Sequence, residues 1–372
     1  MARRLHRQIS ALGFNGDAAY MERIMKRVLC RSVMAGLWLS VAASAAHAEI
    51  WFRLAPIQDP ANPTLTYVNG LNNKGEVVGF VETTGVRAFL WRDGTYTDLV
   101  SRIDPMSQQT EATGIDDRSR IVGHRNDRTP RAFLLRNNRR FDIQVEASVP
   151  SSLFAINNTG QILGKSGPRA FILHNFATGS PFTEFLPDLQ SGSGSTAWSF
   201  NAAGVAVGVS GSADAERPVL WTDGSVISLP LLPNAVEGEA KAINNANQVI
   251  GFNEVGGNRR AFLWSEQVLQ ELPLLGRGEN SSEAYDINDW GVSVGYTADG
   301  TNFYAVMWVG NRAIELTTRI AADDPLKGSV ILQQAYFIND RGQIVVRGGD
   351  VNTGTARMYL LTPDYRAQPI PQ

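Results

Sequence analysis

Residues 72–91 read NNKGEVVGFVETTGVRAFLW, and this stretch decides the fold. Asn72-Asn73-Lys74-Gly75 sets an Asx residue first and glycine fourth, which suits a type I turn followed by a left-handed residue between two antiparallel strands. The runs on either side are short and rich in Val, Phe, Leu and Trp, too short for helices and right for strands.

Outward from there, the same pattern returns seven times at a period of roughly 43 residues. The turn Asx falls at Asn72, Asp116, Asn157, Asn201, Asn244, Asn288 and Asn339, with one longer interval before the last. Glycines close the second run at Gly79, Gly123, Gly164, Gly208, Gly251 and Gly295, with Arg347-Gly348 as an irregular seventh. The third run reads RAFLW at 87, RAFLL at 131, RAFIL at 169, RPVLW at 217, RAFLW at 260, YAVMW at 304 and RMYLL at 357. Turns such as Asp93-Gly94 and Asp223-Gly224 lead to a fourth strand with apolar positions at Leu99, Ile143, Leu186, Leu229, Leu272 and Leu316.

Seven copies of strands a, b and c are present but only six of strand d, because the chain ends soon after the seventh strand c. Residues 50–57, IWFRLAPI, resemble a strand d and can complete the last blade. The predicted fold is therefore all-β: a seven-bladed β-propeller of four-stranded antiparallel blades, its ring closed by the N-terminal strand 50–57. Closure removes the free edges that an open array has to protect. An open β-solenoid is the alternative, and four strands per copy favour the propeller.

The IN-x-x-G, VVG and AF-L-W pattern resembles the extracellular HAF-repeat family over essentially the whole chain after residue 48. The resemblance implies an exported, propeller-like repeat protein and brings no catalytic residues. This chain has Arg where the family's name implies His before Ala-Phe.

Residues 1–48 read as an N-terminal extension and cleavable signal peptide. Arg23, Lys26, Arg27 and Arg31 form a basic region, Val33 to Ala46 an apolar one, and Ala46-His47-Ala48 a cleavage site before Glu49. Residues ahead of Met21 or Met25 read as an upstream extension. The apolar run is shorter than the roughly 20 residues of a membrane span, so export to the periplasm or the extracellular space is expected, with no membrane span after cleavage. The repeats then occupy 49–366 and a tail 367–372. The only cysteine, Cys30, lies in the segment to be removed, which excludes thiol catalysis and cysteine metal sites. A net charge of -2 over 372 residues lacks the basic footprint of a nucleic-acid binder.

Trp91, Trp221, Trp264 and Trp308 recur at one strand position and are assigned to packing between blades. Trp51, Trp198 and Trp290 lie off it, and of these Trp198 and Trp290 are the better surface candidates. The strand-c arginines could form a basic ring, but a two-residue turn at Asp93-Gly94 makes Arg87 and Asp98 diagonal neighbours. The same offset pairs Arg131 with Asp142 and Arg260 with Glu271, so a structural cross-strand ion pair is expected.

Only His124 and His174 follow residue 48, without His-x-x-x-His spacing, and no metal site or cofactor is expected. Asp323-Asp324 and Glu237-x-Glu239 lack the alternating calcium-loop pattern and read as solvated loop charge. No Gly-x-Ser-x-Gly elbow, phosphate loop or His-Glu-x-x-His helix occurs. Paired carboxylates have no fixed spacing, which leaves open a polymer-acting enzyme such as a glycan hydrolase or lyase.

Loop length indicates where a site lies. The a–b and c–d turns are tight, whereas the b–c and d–a connections are long and varied, and binding concentrates on such loops. Binding candidates on that face are His124, Arg125, Asp127, Arg128, Lys165, Glu237, Glu239, Arg277, Glu279 and Asn280. The expected role is a non-enzymatic binding or scaffold module for a protein, glycan or small-molecule ligand, with no nucleic acid.

Overall fold

The computed structural model describes residues 50–365, apart from 60–65, 108, 127–130, 148, 177–179, 191–193 and 212–214. The signal-peptide and tail assignments, 1–48 and 367–372, lie outside the described residues.

Seven four-stranded antiparallel sheets form the ring of a β-propeller. Six blades are continuous in sequence, spanning 66–98, 110–143, 151–185, 195–228, 235–271 and 281–315. The seventh combines Val330–Ile338, Ile344–Asp350 and Ala356–Pro363 with the N-terminal strand Phe52–Ile57 as strand d. That strand pairs antiparallel with the seventh strand c from Phe52 opposite Pro363 to Ile57 opposite Met358. Outer strands d stay short, for example Thr95–Asp98 and Ala313–Glu315, which limits the edge each blade presents. The d–a connection of blade 1 opens with a helical turn, Val100–Ile103, where an irregular loop was expected from sequence.

The turns form as their residues dictate. Asn72 Oδ1 accepts from the backbone amides of Lys74 and Glu76, both at 3.0 Å, and Gly75 takes a φ of 81°. At the c–d turn Asp93 and Gly94 both have positive φ, 48° and 79°, the type I′ hairpin that sets Phe89 opposite Asp98.

The turn asparagines also join the blades. Nδ2 of Asn72 donates to the Asp116 carbonyl at 2.9 Å, Asn157 to Asn201, Asn201 to Asn244, Asn244 to Asn288, Asn288 to Asn339, and Asn339 back to Asn72 at 2.9 Å. Asp116 has no amide to donate. It binds Arg120 Nε at 2.6 Å, and that guanidinium lies against Gly160 in the next blade's turn.

The apolar core is divided among the blade interfaces. Val122 and Leu134 of blade 2 pack with Leu153 and Phe171 of blade 3. Ile57, Val345 and Leu360 of blade 7 pack with Val77, Phe89 and Trp91 of blade 1. The apolar strand-d positions Leu99, Ile143, Leu186, Leu229, Leu272 and Leu316 are all buried. Trp91, Trp221 and Trp308 are buried as expected, with Trp264 partly so. Trp221 and Trp308 donate Nε1 to the Pro187 and Pro273 carbonyls, each at 2.8 Å, satisfying the polar end of a buried indole.

Arg87 binds Asp98 through Nε at 2.8 Å, Arg131 lies 3.8 Å from Asp142, and Arg260 lies 3.6 Å from Glu271. Three of the six strand-c arginines thus form the cross-strand ion pair, whereas Arg169 binds Glu146 and Arg217 donates to the Val236 carbonyl at 3.0 Å. Both partners of the first pair are partly exposed, at 43% and 34%. An Arg87→Ala and Asp98→Ala double-mutant cycle, read by denaturant unfolding, is expected to give a coupling below about 1 kcal/mol. A coupling above about 2 kcal/mol contradicts a solvent-screened pair.

Asp323 and Asp324 are a latch rather than loose loop charge. Asp323 binds Arg53 at 2.7 Å, and that ion pair holds its carboxyl below the usual range. Asp324 accepts from the backbone amides of Leu54 at 3.0 Å and Leu326 at 2.8 Å. Both contacts with residues 53–54 fasten the closing strand to the connection ahead of blade 7.

Candidate functional site

Strand a is innermost in every blade, and its last residues meet around the axis. There, on the a–b turn face, lies a cavity of about 230 Å³ lined by the paired turn residues, among them Asn73, Asp117, Asn158, Asn245, Asp289 and Asp340. Most of these polar groups are committed to one another. Asp117 Oδ1 accepts from the Asn73 amide at 2.8 Å, Asp289 from Asn245 at 2.8 Å, and Asp340 from Asp289 at 2.9 Å. Deeper in the wall, Asp286 accepts from the Ile338 amide at 2.8 Å, and desolvation pushes its carboxyl up to about 7.

The opposite mouth, on the b–c and d–a face, is built by a backbone irregularity. Strand a of each blade slips by one residue against strand b, for example between Val68 and Gly70, Ala197 and Ser199, and Ala284 and Asp286. A β-bulge of this kind re-aims the extra side chain. The bulged residues are Asn69, Thr113, Phe154, Trp198, Lys241, Tyr285 and Tyr336, each three positions before the turn Asx. They meet from blade to blade. Phe154 and Trp198 lie with ring centroids 6.2 Å apart, Lys241 Nζ sits 5.0 Å from the Trp198 ring, and Tyr285 stacks on Tyr336 at 5.3 Å.

Just outside these lies a ring of cross-strand pairs. Tyr67 faces Phe80, Glu111 faces His124, Ser152 faces Lys165, Thr196 faces Val209, Glu239 faces Phe252, Glu283 faces Tyr296, and Gln334 faces Arg347. Glu239 accepts from Lys241 at 2.6 Å and from Trp198 Nε1 at 3.1 Å. The buried Glu283 binds Arg259 at 2.5 Å and Tyr296 OH at 3.3 Å, with Lys241 3.9 Å away. Burial pushes the Tyr285, Tyr296 and Tyr336 phenols up, so all three remain hydrogen-bond donors at neutral pH. Burial likewise pushes His124 down against the pull of Glu111, 3.7 Å away. A groove of about 480 Å³ continues the mouth between blades 7 and 1, lined by Tyr67, Phe80, Tyr336, Arg347 and Met358 among others.

His124, Lys165 and Glu239 therefore stand in the mouth ring. Glu237 lies further along the same strand, opposite Glu254. Arg125 forms an ion pair with Asp104. Arg277, Glu279 and Asn280 do not join the mouth residues: Arg277 pairs with Glu315 at 2.7 Å, its amide donates to Glu279 at 2.7 Å, and the Asn280 amide donates to Ala298 at 2.9 Å. These contacts fix the connection between blades 5 and 6. Asp127 and Arg128 lie outside the described residues. His174 bridges Glu184 at 2.9 Å and stacks on Phe182. Trp290 projects on the a–b face and donates to the Asp340 carbonyl at 2.8 Å. Sequence reading missed Phe154, Lys241, Tyr285, Tyr336 and Arg347. A comparison of the residue three before each turn Asx would have found the first four, since that column carries large side chains in five of seven copies.

Among the described residues no group of three or more His, Cys, Asp or Glu is arranged to hold a metal ion, and no helix is long and apolar enough to cross a membrane.

No protein-family model matches the sequence, and no curated protein is significantly similar to it. Solved propellers do resemble its structure. Virginiamycin B lyase from Staphylococcus aureus aligns with a TM-score of 0.53 and 11% identity, over 84% of this chain and 99% of the lyase. The β-propeller domain of the Trilobed protease from Pyrococcus furiosus aligns with a TM-score of 0.53 and 10% identity, over 82% of this chain and all of that domain. TolB from Acinetobacter baumannii aligns at 0.41 and 15%, over 79% of this chain and 81% of TolB. At these identities the likeness is one of fold alone. The Pyrococcus domain has an open velcro topology, whereas here the N-terminal strand is paired into blade 7.

Proposed function

We propose that the chain is an exported binding module whose ligand sits in the mouth on the b–c and d–a face. The signal-peptide pattern and the likeness to the extracellular HAF-repeat family support export. The aromatic bulge residues carry the reading: Phe154 meets Trp198 and Tyr285 stacks on Tyr336 around the mouth, and Trp198 keeps 40% of its surface exposed. The tryptophans at the recurring strand-c position are buried or partly buried at blade interfaces, whereas Trp198 is exposed beside Lys241 and Glu239, which suits it to contacting a ligand. Aromatic faces next to fixed hydrogen-bonding groups are the composition of a sugar or metabolite site.

The test is a glycan and metabolite screen on the protein starting at Glu49, followed by calorimetry on Trp198→Ala and Tyr285→Ala. Each substitution is expected to weaken the best ligand at least about tenfold. Unchanged affinity in both variants removes the mouth as the site.

A second reading has its own observation. Glu239 and Glu283 flank Lys241, and with Tyr285 and Tyr296 they are the material of an acid–base centre for glycan cleavage. Both carboxylates are already bound by cations, which favours recognition over proton transfer. Turnover of a bound glycan that Glu283→Gln abolishes while binding persists would establish the enzyme.

A further inference from the structure

The cations of the mouth are not equally occupied. Lys241 and Arg259 are held by Glu239 and Glu283, and Lys165 hydrogen-bonds Thr196 at 3.3 Å. Arg347 stands in the same ring, is exposed, and has no carboxylate within ion-pair distance among the described residues. Arg347 faces Gln334 across the strands, and the strand-c arginine next to it, Arg357, lacks the strand-d acid found in other blades. In blades 1, 2 and 5 the strand-d acid neutralises the strand-c arginine. In blade 7 the borrowed N-terminal strand sets Pro56 opposite Tyr359, where blade 1 sets Asp98 opposite Phe89. Residues 50–57 contain no acidic side chain, so strand d of blade 7 supplies no acid opposite strand c.

Beside Arg347, Tyr67 stacks on Phe80 with centroids 4.8 Å apart and planes 15° apart. The Phe80 ring braces Tyr67, which keeps 44% of its surface exposed in the groove. The Tyr336 hydroxyl, on the other wall, donates to Gln334 at 2.7 Å and can still accept. A volume of about 480 Å³ suits a ligand of one or two sugar rings.

Resting on the mouth as the binding site, we infer that the groove between blades 7 and 1 is a subsite for an acidic sugar, a hexuronate whose carboxylate pairs with Arg347 and whose ring lies on Tyr67. A planar guanidinium matches a carboxylate by paired hydrogen bonds, and the C–H face of a pyranose ring packs on an aromatic face.

Calorimetry on the chain starting at Glu49 tests this with trigalacturonate, its fully methyl-esterified form and galactotriose. Trigalacturonate is expected to bind, with affinity falling as salt rises, and both neutral compounds at least tenfold more weakly. Arg347→Gln should weaken trigalacturonate at least tenfold while leaving thermal unfolding unchanged, because the side chain is exposed. Tyr67→Ala should weaken it about fivefold and Tyr67→Phe hardly at all. Inorganic phosphate at the same concentration should not compete. No binding of trigalacturonate, equal binding of the neutral compounds, an unaffected Arg347→Gln, or competition by phosphate each overturns the subsite. The broader reading fails separately: a ligand that depends on Trp198 and Tyr285 but not on Arg347 keeps the mouth and refutes only the uronate.

Discussion

A chain that begins at Gln58, and so lacks the strand Phe52–Ile57, is expected to lose its cooperative monomeric fold and to self-associate. Phe52 is 2% exposed and Ile57 fully buried, and they belong to two different interfaces, blade 6 with blade 7 and blade 7 with blade 1. Burying each contributes about 1.5–3 kcal/mol. Removal also uncovers one edge of Ala356–Pro363, which is six paired residues long, and frees Asp324, which now accepts from the Leu54 amide. The sum is on the order of 5 kcal/mol or more, comparable with the 5–15 kcal/mol that holds an ordinary domain together. An unpaired, apolar strand edge invites pairing with a second molecule. Thermal unfolding and size-exclusion chromatography read both effects. A circular permutant that carries residues 50–57 after strand c of blade 7 should recover the monomer, because the pairing is antiparallel and a hairpin can supply it. A shortened chain that stays monomeric and melts within a few degrees of the full one would sink the account.

The second large effect is expected from Gly79→Ala. A methyl group there would lie 1.9 Å from the Tyr67 carbonyl oxygen and 2.9 Å from the Val68 Cα, all of it backbone. The bulge at Asn69 brings the strand-a carbonyl over the glycine, and neither strand can retreat without breaking the ladder or the interface behind it. A loss of about 3 kcal/mol or more is expected in denaturant unfolding, at the top of the range for forced overpacking. Gly94→Ala is the control. Its φ is 79° but nothing lies within 4 Å, so only the roughly 1 kcal/mol of left-handed strain applies. Equal losses at the two positions would mean that close approach is not why the glycine is there. The same contact recurs at Gly208, 2.0 Å from the Thr196 carbonyl, and at Gly295, 1.9 Å from that of Glu283. Blade 7 has Val346 at this register, and its strand a has an additional slip between Leu332 and Gln334.

These two experiments separate what is local from what is not. The turn at Asn72, the hairpin at Asp93-Gly94 and the pairing of Arg87 with Asp98 were all legible, because each depends on residues within about a dozen positions and on the two-residue alternation of a strand. The missing strand d was legible too, by counting. The glycine column was visible as a pattern, but its cause was not: the close approach depends on a bulge in the partner strand that leaves no mark of its own.

The candidate site was legible only as a face. His124, Lys165 and Glu239 were chosen for their place on the loop face, and each sits beside the mouth in a cross-strand pair. Arg277 and Glu279 were chosen by the same rule, yet they fasten their loop, since side-chain position in a connection says nothing of which partner lies within reach. Asp323 and Asp324 read as loose acids until Arg53 and Leu54, some 270 residues earlier in the chain, closed on them.

The repeat, the blade, the closing strand and the face to search were thus determined by the sequence alone, through interactions between near neighbours. Which side chains share the mouth was decided only by the tertiary structure. Trp198, Lys241, Tyr285 and Tyr336 come from four blades, and Arg347 joins them opposite Gln334, with no acid within ion-pair distance among the described residues. Those facts exist only once the ring has closed, since closure brings together residues that the repeat keeps a whole blade or more apart.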